Sequence, residues 1–414
     1  MEKIRIGVIG LGRGGTFVTP YESLGIEVAA ICDFNKDKLA MWRERLGSGV
    51  KGYTEYDEMI ASDIDAVILC NYFDEHAPFA IKALKAGKHV MSECTCNSTI
   101  AEGVALCRAV EESGKIYMIA ENYPYTRCGM ELRRIYKAGE LGEAMYGDGE
   151  YNHPMSADVI NSIAPGRYHW RNTLPPTYYC THAYAPLMYA TDTMPRRISA
   201  FSASTSIDNL RDLRKGTAVR GDIGAVIMCQ MDNGAVFKEM GVGFPGHRGY
   251  YRIHGTLGAA EIVGGGLHVW HDGWNTPEGM ESDRTYMPEW AEYGELANNA
   301  GHGGGDFWTP FYFAKAIREN KQPIMDVYFG VAVSSIGILA WKSALANGQP
   351  FDMPDFRDEA VRKLHENDVW NPILKEGMDK NAIPPASTVG YEPSEEDIKA
   401  AEVIWEKTKY WGLG

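Results

Sequence analysis

The sequence contains no dense cluster of basic residues. Its 414 residues include 41 Lys and Arg against 55 Asp and Glu, which gives a formal net charge of −14 at pH 7. A protein that follows a phosphate backbone needs a stripe of Lys and Arg, and no run in this chain is long enough to form one. We therefore expect no nucleic-acid partner.

The sequence also lacks an apolar stretch of about 18 residues, a leader segment before the first predicted strand, and any repeat, coiled coil or low-complexity tract. These absences predict a soluble, cytoplasmic protein with no membrane partner. The eight cysteines are scattered singly, apart from Cys94 and Cys96, which favours reduced buried thiols over a disulfide framework. Because this pair lacks a second Cys or His pair at zinc-site spacing, no metal site is predicted.

The length of the chain predicts two domains. In residues 1–122 strand-like and helix-like segments alternate, which is typical of βαβ units in an α/β, Rossmann-type, doubly wound parallel sheet. A helix is expected directly after the glycine-rich segment that follows the first strand. The other predicted elements are strands Ile4–Ile9, Val28–Cys32, Ala66–Cys70, His89–Met91 and Ile116–Ala120, and helices Asp37–Leu46, Pro78–Ala86 and Ile100–Ser113.

Residues 123–414 are richer in Tyr, Trp, His, Pro and Gly, and their strand-like segments follow one another without helices between them. This texture predicts a C-terminal α+β domain on an open, largely antiparallel sheet, with helical segments at 306–347 and 394–410. The segment Trp270–Asn299 is polar and irregular, and we expect it to be functional or mobile. The predicted strands are Ala144–Glu150, Arg197–Ser202, Gly224–Met231 and Ala235–Gly241.

One glycine-rich motif predicts a cofactor. Gly10-Leu11-Gly12-Arg13-Gly14-Gly15 follows the first predicted strand, and Asp33 ends the second, as the dinucleotide fingerprint requires. Gly10 permits a tight turn, Gly12 lets backbone N–H groups approach a pyrophosphate, and Gly15 lets the next helix pack closely. Asp33 can bind ribose hydroxyls and repel a 2′-phosphate, so NAD is predicted over NADP, although Lys36 or Lys38 could soften that preference.

Further segments make nearly the whole chain resemble the Gfo/Idh/MocA family of NAD-dependent oxidoreductases. Residues 87–95, GKHVMSECT, resemble the family motif G-K-H-V-x-x-E-K-P, with Cys94 in place of its lysine. In the family's sugar and polyol dehydrogenases that lysine lies beside the reacting hydroxyl and helps to move its proton. A neutral thiol cannot replace an ammonium group electrostatically, so Cys94 argues against ordinary dehydrogenase chemistry.

The missing lysine points to glycoside hydrolase family 109, the NAD-dependent glycosidases of this superfamily, and several further segments resemble motifs of that family. The chain between about Thr205 and Gly301, where substrate-recognising loops would lie, offers no such match. The segments are 73–78 for W-E-W-H-x-P, Glu121-Asn122 for E-N, 149–153 for G-x-Y-x-H, His169-Trp170-Arg171 for W-R, 179–182 for Y-P-T-H and 301–306 for G-H-G-G-x-D.

The resemblance implies homo-oligomer contacts on the open face of the second sheet. Asn122 is expected at the nicotinamide end of the cofactor. The residues expected to bind the cofactor are Gly10, Gly12, Arg13, Gly14, Gly15, Asp33, Asn71, Phe73, His76, Glu93, Cys94 and Asn122. The residues expected to contact a carbohydrate substrate are Tyr151, His153, Arg171, Tyr179, His182, His302 and Asp306.

No segment carries an evident pair of carboxylates of the kind that an ordinary glycosidase needs. The motifs instead suit glycoside cleavage by transient C3 oxidation, elimination, water addition and re-reduction, which is redox-neutral and needs a base and an acid. Histidine titrates near neutral pH, so His182 is the first candidate for proton transfer. Tyr151 and Tyr179 follow, although a tyrosine base needs a pKa lowered by a neighbour such as Arg171.

Alternatives remain open at several of these positions. Asp306 could cap the helix that begins there, His302 could serve a backbone turn, and His153 or His302 could be a metal ligand. At the level of function, a sugar or polyol dehydrogenase that releases NADH is the second hypothesis, with His182 as its base. A non-catalytic NAD-binding protein is the third. The sequence leaves the sugar, its anomeric configuration and the aglycone open.

Overall fold

The N-terminal domain of the computed structural model, which describes residues 3–18, 24–375, 377, 383–387 and 391–408, is built on a six-stranded parallel sheet. The strand order β3-β2-β1-β4-β5-β6 confirms the predicted doubly wound arrangement. The strands are β1 Ile4–Ile9, β2 Ile26–Cys32, β3 Lys51–Tyr53, β4 Ala66–Leu69, β5 His89–Ser92 and β6 Tyr117–Ile119, and the helices are α1 Lys36–Leu46, α2 Tyr56–Ile60, α3 His76–Lys85 and α4 Ile100–Ser113.

Strand β1 lies at the centre of this sheet. Val8 pairs with Ile31 of β2 on one side and with Ile68 of β4 on the other, and all three side chains are buried. Strands covered on both faces read as continuous apolar runs, which is why the sequence locates them well. The chain order reverses between β1 and β4, so the crevice at their carboxyl ends is the expected cofactor position in a sheet of this type.

The glycine-rich segment differs from its prediction. Instead of an α-helix after the glycines, the described residues form a short 3-10 helix at Arg13–Thr16. Glycine is a poor helix former, and two adjacent glycines weaken any helix that begins there. Gly15 does allow close packing, but its partner is α1, because a Cβ on Gly15 would overlap the ring of Trp42.

The C-terminal domain is built on a nine-stranded sheet in the order β14-β13-β12-β11-β7-β10-β9-β8-β15. Strands β10 and β7 pair in parallel and the other neighbours are antiparallel, which confirms a largely antiparallel sheet. The strands are β7 Ala144–Asn152, β8 Pro195–Ala203, β9 Gly224–Met231, β10 Val236–Val242, β11 Arg248–Gly255, β12 Ala259–Val263, β13 Gly266–Trp270, β14 Asp283–Tyr286 and β15 Phe351–Asp352.

Helices intervene between the first strands of this sheet, contrary to the prediction. The most important is α8, which packs against β7, β10 and β11 and places His182 in its first turn. Every residue of α8 except His182 is buried, so the segment lacks the polar face that marks an amphipathic helix. The helices are α5 Arg127–Lys137, α6 Ala157–Ile163, α7 Trp170–Thr173, α8 Thr181–Thr191, α9 Ile207–Leu213, α10 Gly294–Asn298, α11 Gly305–Glu319, α12 Val327–Leu345, α13 Glu359–His365 and α14 Glu395–Thr408.

Helix α12 corrects the statement that no apolar stretch is long enough to cross a membrane. Its 19 residues pass that test on length and composition, with a mean hydropathy of 1.4 in the most apolar window, but 83% of this window is buried inside the protein. The helix packs against α4 and β6 of the first domain and against β8 of the second. It is therefore a core helix that joins the two domains.

Two other predicted segments need adjustment. The irregular stretch 270–299 contains a strand, β14, and a short helix, α10. The predicted helical region 306–347 is two helices, α11 and α12, separated by a loop. The last predicted helix corresponds to α14, and Tyr410, its predicted end, lies outside the described residues.

Candidate active site

A cavity of about 960 Å³ lies where the carboxyl ends of the parallel strands meet the C-terminal domain. It falls in the size range of small-molecule and cofactor sites. Most of the predicted site residues line it, but Gly14, Gly15, His153 and Asp306 do not. Those that line it are Gly10, Gly12, Arg13, Asp33, Asn71, Phe73, His76, Glu93, Cys94, Asn122, Tyr151, Arg171, Tyr179, His182 and His302.

The glycine turn has the geometry that a dinucleotide needs. Gly10 has φ +83°, and a Cβ at this position would overlap the carbonyl oxygen of Cys70. Only glycine therefore fits the turn, in both its backbone conformation and its packing. The open space beside Gly10 and Gly12 belongs to the cavity, which lets backbone N–H groups approach a pyrophosphate.

Asp33 lies at the end of β2, on the same cavity wall. Its carboxylate accepts hydrogen bonds from the backbone N–H groups of Leu11 and Asn35, each at 2.8 Å, which fixes it beside the glycine turn. Lys38 Nζ lies 3.9 Å from Asp33 Oδ2, and burial lowers the pKa of Lys38. The carboxylate thus stands where the adenosine ribose hydroxyls are expected, and Lys38 is the lysine that could soften exclusion of a 2′-phosphate.

The other end of the cavity offers an acceptor for an amide. Asn122 lines the cavity, and its Oδ1 is buried without a hydrogen-bond partner among the described residues. A buried polar atom without a partner is costly, and the amide group of a nicotinamide would satisfy it. The residues present therefore fit NAD at both ends of the cavity.

Arg13 of the glycine turn connects the two domains. Its Nε donates to Glu93 Oε1 at 2.7 Å and its Nη2 donates to Asp306 Oδ1 at 2.7 Å. Asp306 also accepts from Asn122 Nδ2 at 3.1 Å and lies 2.8 Å from His302 Nδ1. Burial raises the pKa of Asp306, but the hydrogen bonds from His302 and Arg13 outweigh burial and hold that pKa well below its usual range.

These contacts change the interpretation of Asp306. It does not line the cavity, so the geometry gives no support to its predicted contact with substrate. It does not cap a helix either, because α11 begins at Gly305 with Gly304 as its N-cap and no side-chain capping hydrogen bond. Asp306 instead positions Arg13 and His302, the second of which has φ +52° in the glycine-rich turn and lines the cavity.

His76 and Phe73 line the cavity mainly as supports. The two ring nitrogens of His76 lie 2.9 Å from the Thr95 carbonyl oxygen and 3.2 Å from that of Asn71. Burial lowers the pKa of His76, which keeps the ring neutral. Phe73 is buried with its ring 4.7 Å from that of Trp170. Both side chains hold wall segments in place, and neither offers a free catalytic group.

A histidine–carboxylate pair lies in the reaction half of the cavity. His182 Nδ1 is 2.7 Å from Glu121 Oε1 and 2.9 Å from Glu121 Oε2. Glu121 lies two residues after the end of β6 and is completely buried. Burial raises its pKa, but the charge and hydrogen bond of His182 and the hydrogen bond of Cys94 more than offset this, so the pKa is lowered. The carboxylate fixes the Nδ1–H tautomer, which leaves Nε2 of His182 as a base.

Cys94, at the position of the family's lysine, completes this group. Its Sγ–H donates to Glu121 Oε2 at 3.0 Å, and burial together with Glu121 and Glu93 raises the thiol pKa well above its usual value. The thiol is therefore neutral and acts as a donor. The ligand atoms of Cys94, Glu121 and His182 lie within 4.8 Å of one another, a set that could also hold a metal ion.

Cys96 does not join Cys94. It is buried, and its backbone N–H donates to Ser334 Oγ of α12 at 2.9 Å. The two cysteines of the Cys94-x-Cys96 sequence therefore do not form one shared ligand site. Its partners among the described residues agree with the prediction of buried reduced thiols for Cys96.

Three tyrosines surround His182. The ring centroids of Tyr151, Tyr123 and Tyr179 lie 4.5, 5.0 and 5.7 Å from that of His182. Burial, together with Tyr123 and Tyr179, raises the pKa of Tyr151 far above its usual value, and Arg171 donates to the Tyr179 hydroxyl at 2.7 Å instead. This environment disfavours the ionised form of Tyr151 and so favours proton donation over proton abstraction, and the part of Tyr151 in proton transfer stays a prediction.

Two predicted substrate residues lie beyond these tyrosines. Arg171 stacks over the Trp170 ring at 4.3 Å and lines the cavity. His153 follows β7, with its ring 5.9 Å from that of Tyr151 and 4.8 Å from that of His247. Burial, followed by the charges of His247, His182 and Arg171, lowers the pKa of His153. His153 thus stands behind the cavity wall rather than on it.

Sequence reasoning alone places less weight on Glu121 than the structure does, and it does not point to Tyr123. Glu121 belongs to the E-N motif, and its position at the carboxyl end of a predicted parallel strand is a further signal, because ligands of such sheets bind there. Tyr123 carries no comparable signal. Its contact with His182 depends on α8, which the sequence pattern does not predict.

Comparisons with known proteins agree with this architecture. Residues 4–121 match the family described as the oxidoreductase family, NAD-binding Rossmann fold, and residues 193–362 match the glycosyl hydrolase 109 C-terminal domain. A glycosyl hydrolase family 109 protein of Solibacter usitatus is 27% identical over 390 residues, which cover 85% of this chain and 88% of that protein. The α-N-acetylgalactosaminidase of Shewanella oneidensis is 26% identical over 394 residues, covering 86% and 85%.

A solved structure has the same fold. Levoglucosan dehydrogenase in complex with NADH and levoglucosan aligns with a TM-score of 0.72 at 22% identity, covering 86% of this chain and all of that one. The N-terminal match establishes NAD as the cofactor of the first domain. The C-terminal match includes His302 of the cavity but begins after Tyr151 and His182. In its first domain the chain is similar to the Gfo/Idh/MocA family of NAD-binding oxidoreductases, and over most of its length it is similar to the proteins of glycoside hydrolase family 109.

Proposed function

We propose that this chain is an NAD-dependent carbohydrate-active enzyme that cleaves glycosides without net oxidation. The observation that carries the proposal is the His182–Glu121 pair, which stands beside a neutral thiol, Cys94, in the same cavity as the glycine turn. The likeness to glycosyl hydrolase family 109 proteins, one of them named α-N-acetylgalactosaminidase, supports a glycoside as the substrate.

The residues divide the proton transfers between them. When bound, NAD would accept a hydride from C3 of the sugar while the C3 hydroxyl proton passes to water, which would leave a ketone that acidifies the neighbouring C2–H bond. His182 would remove the C2 proton on Nε2, with Glu121 stabilising the imidazolium that forms. Tyr151 would donate a proton to the oxygen that leaves C1. Water would then add at C1 and return a proton to Tyr151, His182 would return its proton to C2, and C3 would regain the hydride and a hydroxyl proton, so the net reaction is hydrolysis.

Cys94 has a defined part in this scheme. A lysine at its position would place a positive charge beside Glu121 and compete with His182 for the carboxylate. The thiol instead donates one hydrogen bond without charge, and the full charge of Glu121 then acts on His182. This arrangement favours a base that removes a proton from carbon.

A sugar or polyol dehydrogenase is the second candidate. The His182–Glu121 pair could also take the hydroxyl proton during a simple oxidation, so the absence of the lysine does not remove the base that a dehydrogenase needs. The fold of a dehydrogenase that acts on a sugar derivative is also similar. The two candidates differ in whether the electrons return to the same sugar.

One assay separates the candidates. Aryl α- and β-glycosides are incubated with the NAD-loaded protein while aglycone release and NADH absorbance are recorded together, and free sugars and polyols are tested in parallel. Aglycone release without stoichiometric NADH supports the glycosidase. NADH that accumulates with free sugars, without aglycone release, identifies a dehydrogenase. Tight NAD binding with no turnover of either class would contradict both and support a non-catalytic NAD-binding protein.

A further inference from the structure

The substrate side of the cavity has an unusual charge. In the described part of the chain, no Asp or Glu from residues 123–414 lines the cavity, whereas Arg171 and three histidines do, His169, His182 and His302. The chain as a whole carries a net charge of −14, so this wall differs from the average surface. The acids that line the cavity, Asp33, Glu55, Asp57, Glu75 and Glu93, all belong to residues 1–122, so Arg171 lies on a wall that has no carboxylate of its own.

Two acids of the first domain already have hydrogen-bond partners. Glu121 is completely buried behind His182 and Cys94. Glu93 lines the cofactor half of the cavity and accepts from Arg13 at 2.7 Å. Neither carboxylate is available to neutralise a cation on the opposite wall or to accept hydrogen bonds from several sugar hydroxyls.

Among the groups on this wall, Arg171 holds the lasting positive charge. Its guanidinium carbon lies over the Trp170 ring, 4.3 Å from the ring centroid, and Nη1 donates to the Tyr179 hydroxyl at 2.7 Å. It forms no ion pair with any residue that the structure describes. Burial, followed by the charge of Arg171, lowers the pKa of His169 to about 3, so this histidine is neutral. His302 is held by Asp306.

The position of Arg171 suits a contact with substrate. Tyr179, which receives its hydrogen bond, has its ring 5.7 Å from that of His182. The guanidinium therefore stands one aromatic ring away from the base, and it is held by stacking and one hydrogen bond. Its remaining N–H groups can form the two parallel hydrogen bonds with which guanidinium binds planar or tetrahedral anions.

A partly buried cation without a counter-ion is costly, and the cost disappears when an anion binds. A neutral sugar would meet this wall without a single carboxylate to accept from its hydroxyl groups. We infer that the sugar this cavity binds carries an anionic substituent, a carboxylate or a sulfate ester, and that Arg171 binds it. The reaction at this sugar rests on the proposed function, whereas the binding does not.

The first experiment measures binding without turnover. Glucuronate, galacturonate and glucose 6-sulfate are titrated into the NAD-loaded protein by calorimetry, alongside glucose, galactose and N-acetylgalactosamine. We expect at least one anionic sugar to bind roughly 10- to 100-fold more tightly than its neutral counterpart. The carboxylate and sulfate arms show which anion the site prefers. Equal or tighter binding of the neutral sugars would overturn the inference.

The variants R171M and R171K show whether Arg171 is the cause. Methionine removes the charge and keeps much of the length, so we expect the preference for the anionic sugar to disappear while the NAD-induced rise in melting temperature persists. Lysine keeps the charge without the planar fork and should retain part of the preference. If R171M lowers the affinity for anionic and neutral sugars by the same factor, Arg171 binds hydroxyl groups and the inference fails.

An enzyme assay tests the anionic ligand and the proposed glycoside cleavage separately. Aryl glucuronides and 6-sulfated aryl glycosides are compared with the parent aryl glycosides and with aryl N-acetylgalactosaminides, and aglycone release is followed. Higher kcat/KM for the anionic series supports both proposals. Binding of anionic sugars without any aglycone release supports the anionic ligand and contradicts the glycosidase. Preferred cleavage of the N-acetylgalactosaminide supports the glycosidase and overturns the anionic ligand.

Discussion

At the scale of single residues, the site depends on a carboxylate that never meets solvent. Glu121 accepts from His182 with both oxygens and from Cys94 with one of them. A buried carboxylate is stable as an anion only where such partners surround it, and His182 gains a fixed tautomer in return. The two residues therefore act as one unit, and a change at either alters both.

The substitution E121Q tests this unit. Glutamine keeps the shape of the side chain but removes the negative charge that stabilises the imidazolium, so we expect kcat to fall roughly 100- to 10,000-fold, with a much smaller change in KM. The measurement is steady-state turnover on the best substrate of the wild-type protein. The NAD-induced rise in melting temperature should be preserved.

The matched control is E239Q, a second buried carboxyl that lines no part of the cavity. Its substitution changes the same atoms at a similar depth, in a carboxyl whose pKa burial raises to about 8, and should leave kcat within about twofold. If E121Q retains more than about a third of the wild-type kcat, or if E239Q loses as much as E121Q, the assigned role of Glu121 is wrong.

Glu239 makes a separate prediction about pH. It is buried on β10, its Oε2 has no hydrogen-bond partner among the described residues, and burial raises its pKa from 4.5 to about 8. Below pH 4.5 the carboxyl is protonated in both the folded and the unfolded states. Between pH 4.5 and about 8 only the unfolded chain ionises, so this group favours unfolding increasingly as the pH rises.

The variant E239Q should therefore become more stable relative to the wild-type protein as the pH rises. Glutamine cannot ionise, so the difference in melting temperature between E239Q and wild type should shift in favour of the variant between pH 5 and pH 8, by about 2 °C for a change of about 2 kcal/mol. Differential scanning fluorimetry over this range measures it. A difference that stays constant across the range would show that Glu239 has an ordinary pKa.

At the scale of elements, the sequence predicts two kinds of segment. These are helices and strands whose buried residues recur periodically, and short strands whose residues are all buried. Strand Gly224–Met231 and helix Ile100–Ser113 have the predicted bounds, the helix because a capping box at Thr99 and Glu102 and a left-handed Gly114 mark its ends. Helix α8 escapes prediction because it is buried on all sides and contains Pro186.

The residues of the candidate site also divide into those that the sequence predicts and those that it does not. The glycine turn and Asp33 are predicted because one local pattern contains them. The pairing of His182 with Glu121 joins residues 61 positions apart, and the ion pair of Arg13 with Asp306 joins residues 293 apart. Contacts of this kind depend on how the domains pack, and a single sequence carries no periodic signal for them.

The link between the glycine turn and α11 can be tested with D306N. The amide keeps the shape but removes the charge that Arg13 and His302 share, so the turn should lose part of its support. Breaking a buried ion pair of this kind costs about 3 kcal/mol. We expect a lower melting temperature and roughly tenfold weaker NAD binding, measured by fluorimetry and calorimetry.

An exposed acid at the other end of the same helix provides the control. Glu319 pairs with Lys315 at 3.9 Å on the surface, and E319Q should change stability by less than about 0.5 kcal/mol and leave NAD affinity unchanged. Wild-type NAD affinity in D306N would show that the connection between the turn and α11 has no part in binding the cofactor.

At the scale of the whole molecule, the second sheet exposes an apolar row. Phe201 pairs with Val226, which pairs with Met240 on its other side, so the three side chains share one face across β8, β9 and β10. Phe201 is 63% exposed and Met228, two residues along β9, is 48% exposed. A contiguous apolar patch of this kind on a sheet is typical of an interface, and two copies of one chain form such interfaces most often by twofold symmetry.

We therefore expect the protein to form a homo-oligomer through this face, and M228K tests it. A lysine costs little on an exposed strand but is expensive in an apolar interface, so the variant should shift toward the monomer while its NAD affinity is unchanged. Light scattering coupled to size-exclusion chromatography measures the mass of each species. The control L364K places the same charge on α13, where Leu364 is 80% exposed, and should assemble like the wild type. A monomeric wild type, or an M228K protein that assembles fully, would show that this face is not the interface.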